Sequence, residues 1–180
     1  MMLPLKVFAA MPEISAGKTS FNPLNGNYIL KENVFVSFDN HGFKAKLSAN
    51  EAKGNMYLQK CWATGNVNFS HNEILFHCEK AYLHWQANKV DVLGSIKFDS
   101  KEIVTINADS ATFNWQNKIA DFYGKVKITP KNNLKFANNL KLDGGNYAHV
   151  QFDVQENKIL RLDKVSDKNK IIIPECDITE

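Results

Sequence analysis

Disulfides cannot be what holds this chain together. Its 180 residues include three cysteines (Cys61, Cys78 and Cys176), too few and too scattered for a disulfide scaffold or a zinc pattern. A Cys61–Cys78 bridge in an oxidising compartment and a pair of buried free thiols are both open, the second being the plainer. No stretch approaches the roughly 18 consecutive apolar residues of a membrane span. Neither charge sign dominates: the net charge of +3 permits attraction to an anionic partner but lacks the clustered Lys/Arg and interleaved aromatics of a nucleic-acid binder. No segment carries a capped helix-period apolar stripe. There is no Gly-rich phosphate loop, no Gly-x-Ser-x-Gly elbow and no His-Glu-x-x-His, so no catalytic constellation and no nucleotide or metal cofactor is expected. The start, Met1-Met-Leu-Pro-Leu-Lys-Val-Phe-Ala-Ala10, lacks a basic leader and a long apolar centre, and reads as a poor signal peptide.

What the chain does have is a repeat. Ala81-Tyr-Leu-His-Trp-Gln-Ala-Asn-Lys-Val-Asp-Val-Leu-Gly94 is followed by Ala111-Thr-Phe-Asn-Trp-Gln-Asn-Lys-Ile-Ala-Asp-Phe-Tyr-Gly124, and a fainter copy runs from Ala52 to Gly65. Ala81/Ala111, Trp85/Trp115, Gln86/Gln116, Asp91/Asp121 and Gly94/Gly124 coincide without gaps. Gly65, Gly94 and Gly124 therefore fall 29 and 30 residues apart, a period that signals stacked supersecondary units.

Around each boundary the texture is that of strands. Val34-Phe-Val-Ser-Phe38, Asn66-Val-Asn-Phe-Ser70, Ser95-Ile-Lys-Phe-Asp99 and Lys125-Val-Lys-Ile-Thr129 alternate apolar with polar residues, as half-buried strands do. Each begins just after Asn33, Gly65, Gly94 or Gly124, where a glycine suits a bulge or tight bend. Polar turns, Asp39-Asn-His-Gly42, Ser70-His-Asn-Glu73, Asp99-Ser-Lys-Glu102 and Pro130-Lys-Asn-Asn133, lead to second strands at 43–49, 74–78, 103–108 and 134–137. Then come Ala-Asn-Glu-Ala, Cys-Glu-Lys-Ala, Ala-Asp-Ser-Ala and Ala-Asn-Asn-Leu, a step of small residues that implies the same bend in each unit. A third and fourth strand, split at Gln86 or Gln116, close each unit at its glycine. The last unit carries about ten extra residues near Asp143-Gly-Gly-Asn146, and Ile171-Ile-Ile173 reads as a terminal strand. None of the five prolines interrupts an expected strand. The chain is thus all-β, with residues 1–24 an irregular lead-in and 25–180 one domain of stacked hairpin units.

The residues with chemical potential are few. His71, His77, Cys78 and His84 cluster in sequence, but neighbours on a strand point to opposite faces, so His77 and Cys78 cannot share a metal without distortion. These histidines read as turn and surface groups. Asp91 and Asp121 recur with the repeat and read as strand-end or turn residues rather than paired catalytic carboxylates. Trp85 and Trp115 read first as core, with an apolar ligand groove as the second reading. The strongest feature is a stripe: Val34, Val36 and Phe38, Val67 and Phe69, Ile96 and Phe98, Val126 and Ile128 hold equivalent places in successive units. Stacking merges them into one apolar band. Folded like a slightly open book, that band makes a trough suited to acyl chains, each buried CH₂ contributing about 0.8 kcal/mol.

The pattern Gly-Asn-Val67-x-Phe, a polar turn, an apolar strand ending in Cys/Ala-acidic-x-Ala and the next Gly-x-Val/Ile resembles the OstA-like (LptA-like) family. Asn25-Gly-Asn-Tyr-Ile-Leu-Lys-Glu-Asn-Val34 resembles its opening strand, and the similarity runs from about Asn25 to Thr129. The resemblance implies a V-shaped β-jellyroll in the periplasm that shields the lipid A acyl chains of lipopolysaccharide. It further implies bridging to LptC-like and LptD-like proteins, or to further copies, by pairing of edge strands. Carried over, the trough lining is the stripe, with Leu47, Phe76, Ile106, Phe113 and Trp115 opposite. The alternative is a filled β-solenoid that acts only through protein contacts.

Overall fold

The computed structural model describes residues 13–40, 43–71, 74–100, 102–165 and 171–179. Nearly every regular residue among them is strand. In chain order these are β1 (Glu13–Ser15), β2 (Lys18–Phe21), β3 (Asn27–Asn40), β4 (Phe43–Asn55), β5 (Lys60–His71), β6 (Ile74–His84), β7 (Lys89–Ser100), β8 (Val104–Asn114), β9 (Ile119–Pro130), β10 (Lys135–Phe136), β11 (Tyr147–Asp153) and β12 (Lys158–Asp163). They form one sheet in the order β1-β3-β4-β5-β6-β7-β8-β9-β11-β12-β10, with β2 also on β3. All pairings are antiparallel except β10 on β12.

The long strands are each bent in the middle. Every ladder from β3 to β11 shifts register once, between residues 31 and 34, 48 and 51, 64 and 67, 77 and 80, 93 and 96, 107 and 110, and near 123–126. At each shift β3, β5, β7 or β9 holds one residue more than its partner, which is a β-bulge. The bulges are Glu32-Asn33 (φ 67° and 55°), Gly65-Asn66 (75° and 48°), Gly94-Ser95 (81° and 46°) and Gly124 (98°). Side-chain alternation continues across them, so one face of the sheet stays apolar while the sheet folds over along the line of bulges.

Two arms result. The first comprises residues 34–40, 43–49, 67–71, 74–78, 96–100, 104–108 and 126–130. The second comprises the other half of each strand, with β11 and β12. Their inner faces pack on one another: Phe76 of the first arm lies 6.2 Å from both Phe113 and Phe122 of the second, and Phe98 lies 5.2 Å from Phe122 and 5.7 Å from Phe152. Small residues hold the rows nearest the bend, with Ala52, Ala63, Ala81 and Ala111 on the second arm and Ala49, Cys78 and Ala108 on the first. Phe69, Phe76, Phe98 and Phe113 stand one row further out, while at the β9 end Phe122 already shares the row of Ala111. The interior is therefore a wedge, narrow at the bend, which is the job of the recurring small-polar-polar-small step.

Several expectations need correction. The glycines are the bends within continuous strands rather than boundaries between units, so the expected fourth strand of one unit and first of the next are one element. The lead-in contributes β1 and β2, both paired with β3. Ala137-Asn-Asn-Leu140 does not repeat the bend and lies in a turn. Ile171-Ile-Ile173 is not a strand, although the tail does return to the sheet, where Trp62 Nε1 donates to the Pro174 carbonyl at 2.8 Å and Ile178 is buried. Residues His41, Gly42, Asn72, Glu73 and Lys101 of the expected turns, and 1–12 of the lead-in, lie outside the described residues.

Candidate functional site

The stripe sits where alternation places it, on the inner face. Val36, Leu47, Phe69, Phe76, Phe98, Ile106 and Ile128 are successive directly opposed partners, so they form one row across β3 to β9 of the first arm. Val34, Val67, Ile96 and Val126 line the same face nearer the bend. All of these are buried except Ile128, which is half-buried at the end of the row. The backbone of Phe38 pairs with Ala45, and its side chain lies outside the described residues.

Leu47, Phe76 and Ile106, expected opposite the stripe, are instead interleaved with it in the same row. The reason is geometric: the strand that follows a polar turn is the hydrogen-bonded neighbour of the one before, not a member of a facing layer. What faces the stripe is the second arm. Phe113 and Trp115 belong there, as expected, joined by Phe122, Phe152, Leu83, Val90, Val92 and Ile159. Those further residues could have been found from the repeat, since Val92 and Phe122 both stand two residues before the glycine of their unit.

The furrow expected to be open is closed in this structure by its own rings. Phe69, Phe76, Phe98, Phe113, Phe122 and Phe152 each have 0 % exposure. An acyl chain therefore enters only if the arms part. Ser100 is one buried polar side chain at the first arm's inner rim, and His71, in the same row, is another, with Nδ1 at 2.8 Å from the Lys44 carbonyl and its ring 6.0 Å from Phe113. His71 is not the surface histidine expected, and burial lowers its pKa. His77 is exposed and Cys78 buried, as neighbours on a strand must be. Cys61 and Cys78 are free buried thiols, pushed up by burial to about 11 and about 12. Among the described residues no group of His, Cys, Asp and Glu is placed to hold a metal ion.

The outer face carries the polar chemistry. Asp91 and Asp121 lie within strands, not at their ends. Asp91 is buried and accepts from Thr112 Oγ1 at 2.6 Å and Lys89 Nζ at 2.8 Å. Asp121 accepts from His149 Nε2 at 2.8 Å and Gln151 Nε2 at 3.0 Å. All but the Lys89 bond, which lies within β7, tie neighbouring strands together, and all face away from the interior. Sequence reasoning did not find His149 because the irregular last unit breaks the repeat.

Comparison with known proteins bears on this geometry. The OstA-like protein family matches residues 44–160 of this chain. No curated protein matches the sequence. Among solved structures, the crystal structure of LptH from Pseudomonas aeruginosa is similar at a TM-score of 0.58 and 10 % identity, covering 67 % of this chain and 95 % of that one. That protein is described as the LptA-homologous periplasmic component of a conserved lipopolysaccharide transport device. At this identity the likeness carries the fold. No helix among the described residues is long and apolar enough to cross a membrane.

Proposed function

Since this chain belongs to the OstA-like family, we propose that it is a periplasmic lipopolysaccharide carrier that shelters lipid A acyl chains between its two arms. The observation that carries the reading is the apolar row from Val36 to Ile128, continuous across β3 to β9 and faced by a second apolar arm. A lining without polar gaps is what an acyl chain needs, since each CH₂ withdrawn from water contributes about 0.8 kcal/mol. Entry exchanges ring-on-ring contact for ring-on-chain contact, so the net cost is that of spreading the arms. The chain acts by binding and not by chemistry. Its partners are LptC-like and LptD-like proteins or further copies, met by strand addition at the ends of an open sheet. The closed interior favours one competing reading, a filled sandwich working only through protein contacts.

Site-specific photocrosslinking separates the two. A photoreactive phenylalanine at Phe69 or Phe98 is expected to capture lipopolysaccharide, while the same group at the outward-facing Lys97 is not. Absence of capture at both inner positions, or equal capture at Lys97, overturns the carrier reading in favour of the sandwich.

A further inference from the structure

The extra residues of the last unit have a definite place. Asn132 donates its backbone N–H to the Glu102 carbonyl at 2.9 Å, at the rim of the first arm. Three residues on, Lys135 donates to the Asn157 carbonyl at 2.9 Å and β10 pairs with the start of β12, at the rim of the second arm. Three residues span at most about 10 Å, the spacing of two face-packed sheet layers. The chain thus steps from one arm to the other, and then returns to the bend, where Tyr147 opposes Val126. On this path Leu134, Phe136, Leu140 and Leu142 are each half-buried against the core, while the residues beside them are mostly exposed. An irregular segment with one greasy edge, running rim to rim and back, covers the end of the wedge.

Its fastening is of a different kind. The Asp143 carboxylate accepts from Lys164 Nζ at 2.8 Å, from the Gly145 amide at 3.0 Å and from the Tyr147 hydroxyl at 3.0 Å. Lys164 Nζ also donates to the Asn146 carbonyl at 3.1 Å and lies 4.1 Å above the Tyr147 ring. The bond from Lys164, with those from Gly145 and Tyr147, holds the Asp143 carboxyl down at about 2, so the fastening stays charged at neutral pH. Asp143 and Lys164 are both exposed. A half-buried apolar edge under an exposed ionic clasp can open without unfolding the sheet.

We propose that residues 131–146 are an end cap, a strap that closes the C-terminal mouth of the apolar interior and must lift before an acyl chain passes that end. The inference rests on the lipid-carrying reading above. It gives the carrier a direction: the capped end is gated, and continuity with the interior of a neighbouring protein on that side requires the strap to swing away.

The test uses the full chain and a fluorophore-labelled tetradecanoic acid as probe. Lys164→Glu opposes two negative charges at the clasp, and Asp143→Lys combined with Lys164→Glu restores attraction. Uptake and release in stopped flow are expected to quicken severalfold in Lys164→Glu, with faster amide exchange over 134–142, and both return in the double variant. Lys164→Gln, which removes a charge without adding one, shifts the same readouts less and serves if Lys164→Glu does not fold. Faster exchange with unchanged probe kinetics overturns the gate and leaves the carrier reading standing. Failure of every variant, and of the parent, to bind the probe overturns the carrier reading and the cap's role with it.

Discussion

His149 is held between two carboxylates, with Nε2 at 2.8 Å from Asp121 and Nδ1 at 3.0 Å from Asp163. A carboxylate only accepts, so both ring nitrogens must donate, and this geometry belongs to the imidazolium. Tyr123 stacks on the ring at 4.6 Å, Arg161 Nε lies 2.6 Å from Asp163, and Gln151 shares Asp121. The bond to Asp121 raises the pKa of His149, burial opposes it, and Asp163 adds to the rise. Because the folded value is raised, the stabilisation is complete below the ordinary histidine pKa of about 6.5 and is lost as pH rises through the folded one. His149→Gln is expected to cost on the order of 1–3 kcal/mol at pH 6, the range for hydrogen bonds to charged groups. The gap from the parent should close on the alkaline side, as followed by urea unfolding across pH 6 to 9. A gap that does not change with pH would show His149 to be neutral packing. Asp121 was legible in the sequence as a repeated residue, but its partner was not: His149 lies beyond the insertion, where the period no longer predicts position.

The bends are the element on which the fold turns, and their backbone demands differ. Gly124 has φ 98°, and a Cβ there would stand 2.6 Å from Asp109 Cβ. Neither the conformation nor the space suits a side chain. Glu32 holds the matching place in β3 at φ 67° with a side chain already present, paired with the exposed Lys18. Gly124→Ala is therefore expected to cost roughly 1–3 kcal/mol. Glu32→Gly exchanges left-handed strain of about 1 kcal/mol for a similar loss of chain entropy and should come out near neutral. Thermal unfolding of both variants checks the pair, and equal losses would show that the bulges are not set by these dihedrals. The 29- and 30-residue spacing of the glycines made the bends legible in the sequence. Their placement inside strands was not, because alternation runs through the bulge unbroken and a glycine among polar residues looks the same in a turn. The path of 131–146 was illegible for another reason: β10 pairs with β12, and a two-residue parallel contact at that separation leaves no local pattern.

For the whole molecule, stability and cargo compete for the same interior. Phe98 fills its place against Phe76, Phe122 and Phe152 with no exposure, so any change there alters the core before it alters binding. A charge at Phe69 or Phe98 would unfold the protein rather than test its cargo, because an unpaired carboxylate would be buried. Truncation is more informative. Phe98→Ala should cost about 3–5 kcal/mol and leave a cavity lined by rings, whereas Lys97→Ala on the outer face should stay within about 0.5 kcal/mol. If acyl chains occupy this interior, the cavity is space the arms no longer have to open. Lipopolysaccharide should then restore a larger part of the lost stability in Phe98→Ala than it adds to the parent. At a ligand concentration of about 100 times Kd the gain in the parent is about 2.7 kcal/mol by mass action. Each kcal/mol moves the midpoint of a chain this size by about 2–4 °C, so the difference is readable by calorimetry. Equal gains in parent and variant would place the lipid away from Phe98, since only a ligand that shares the ring's space can distinguish a filled core from an emptied one.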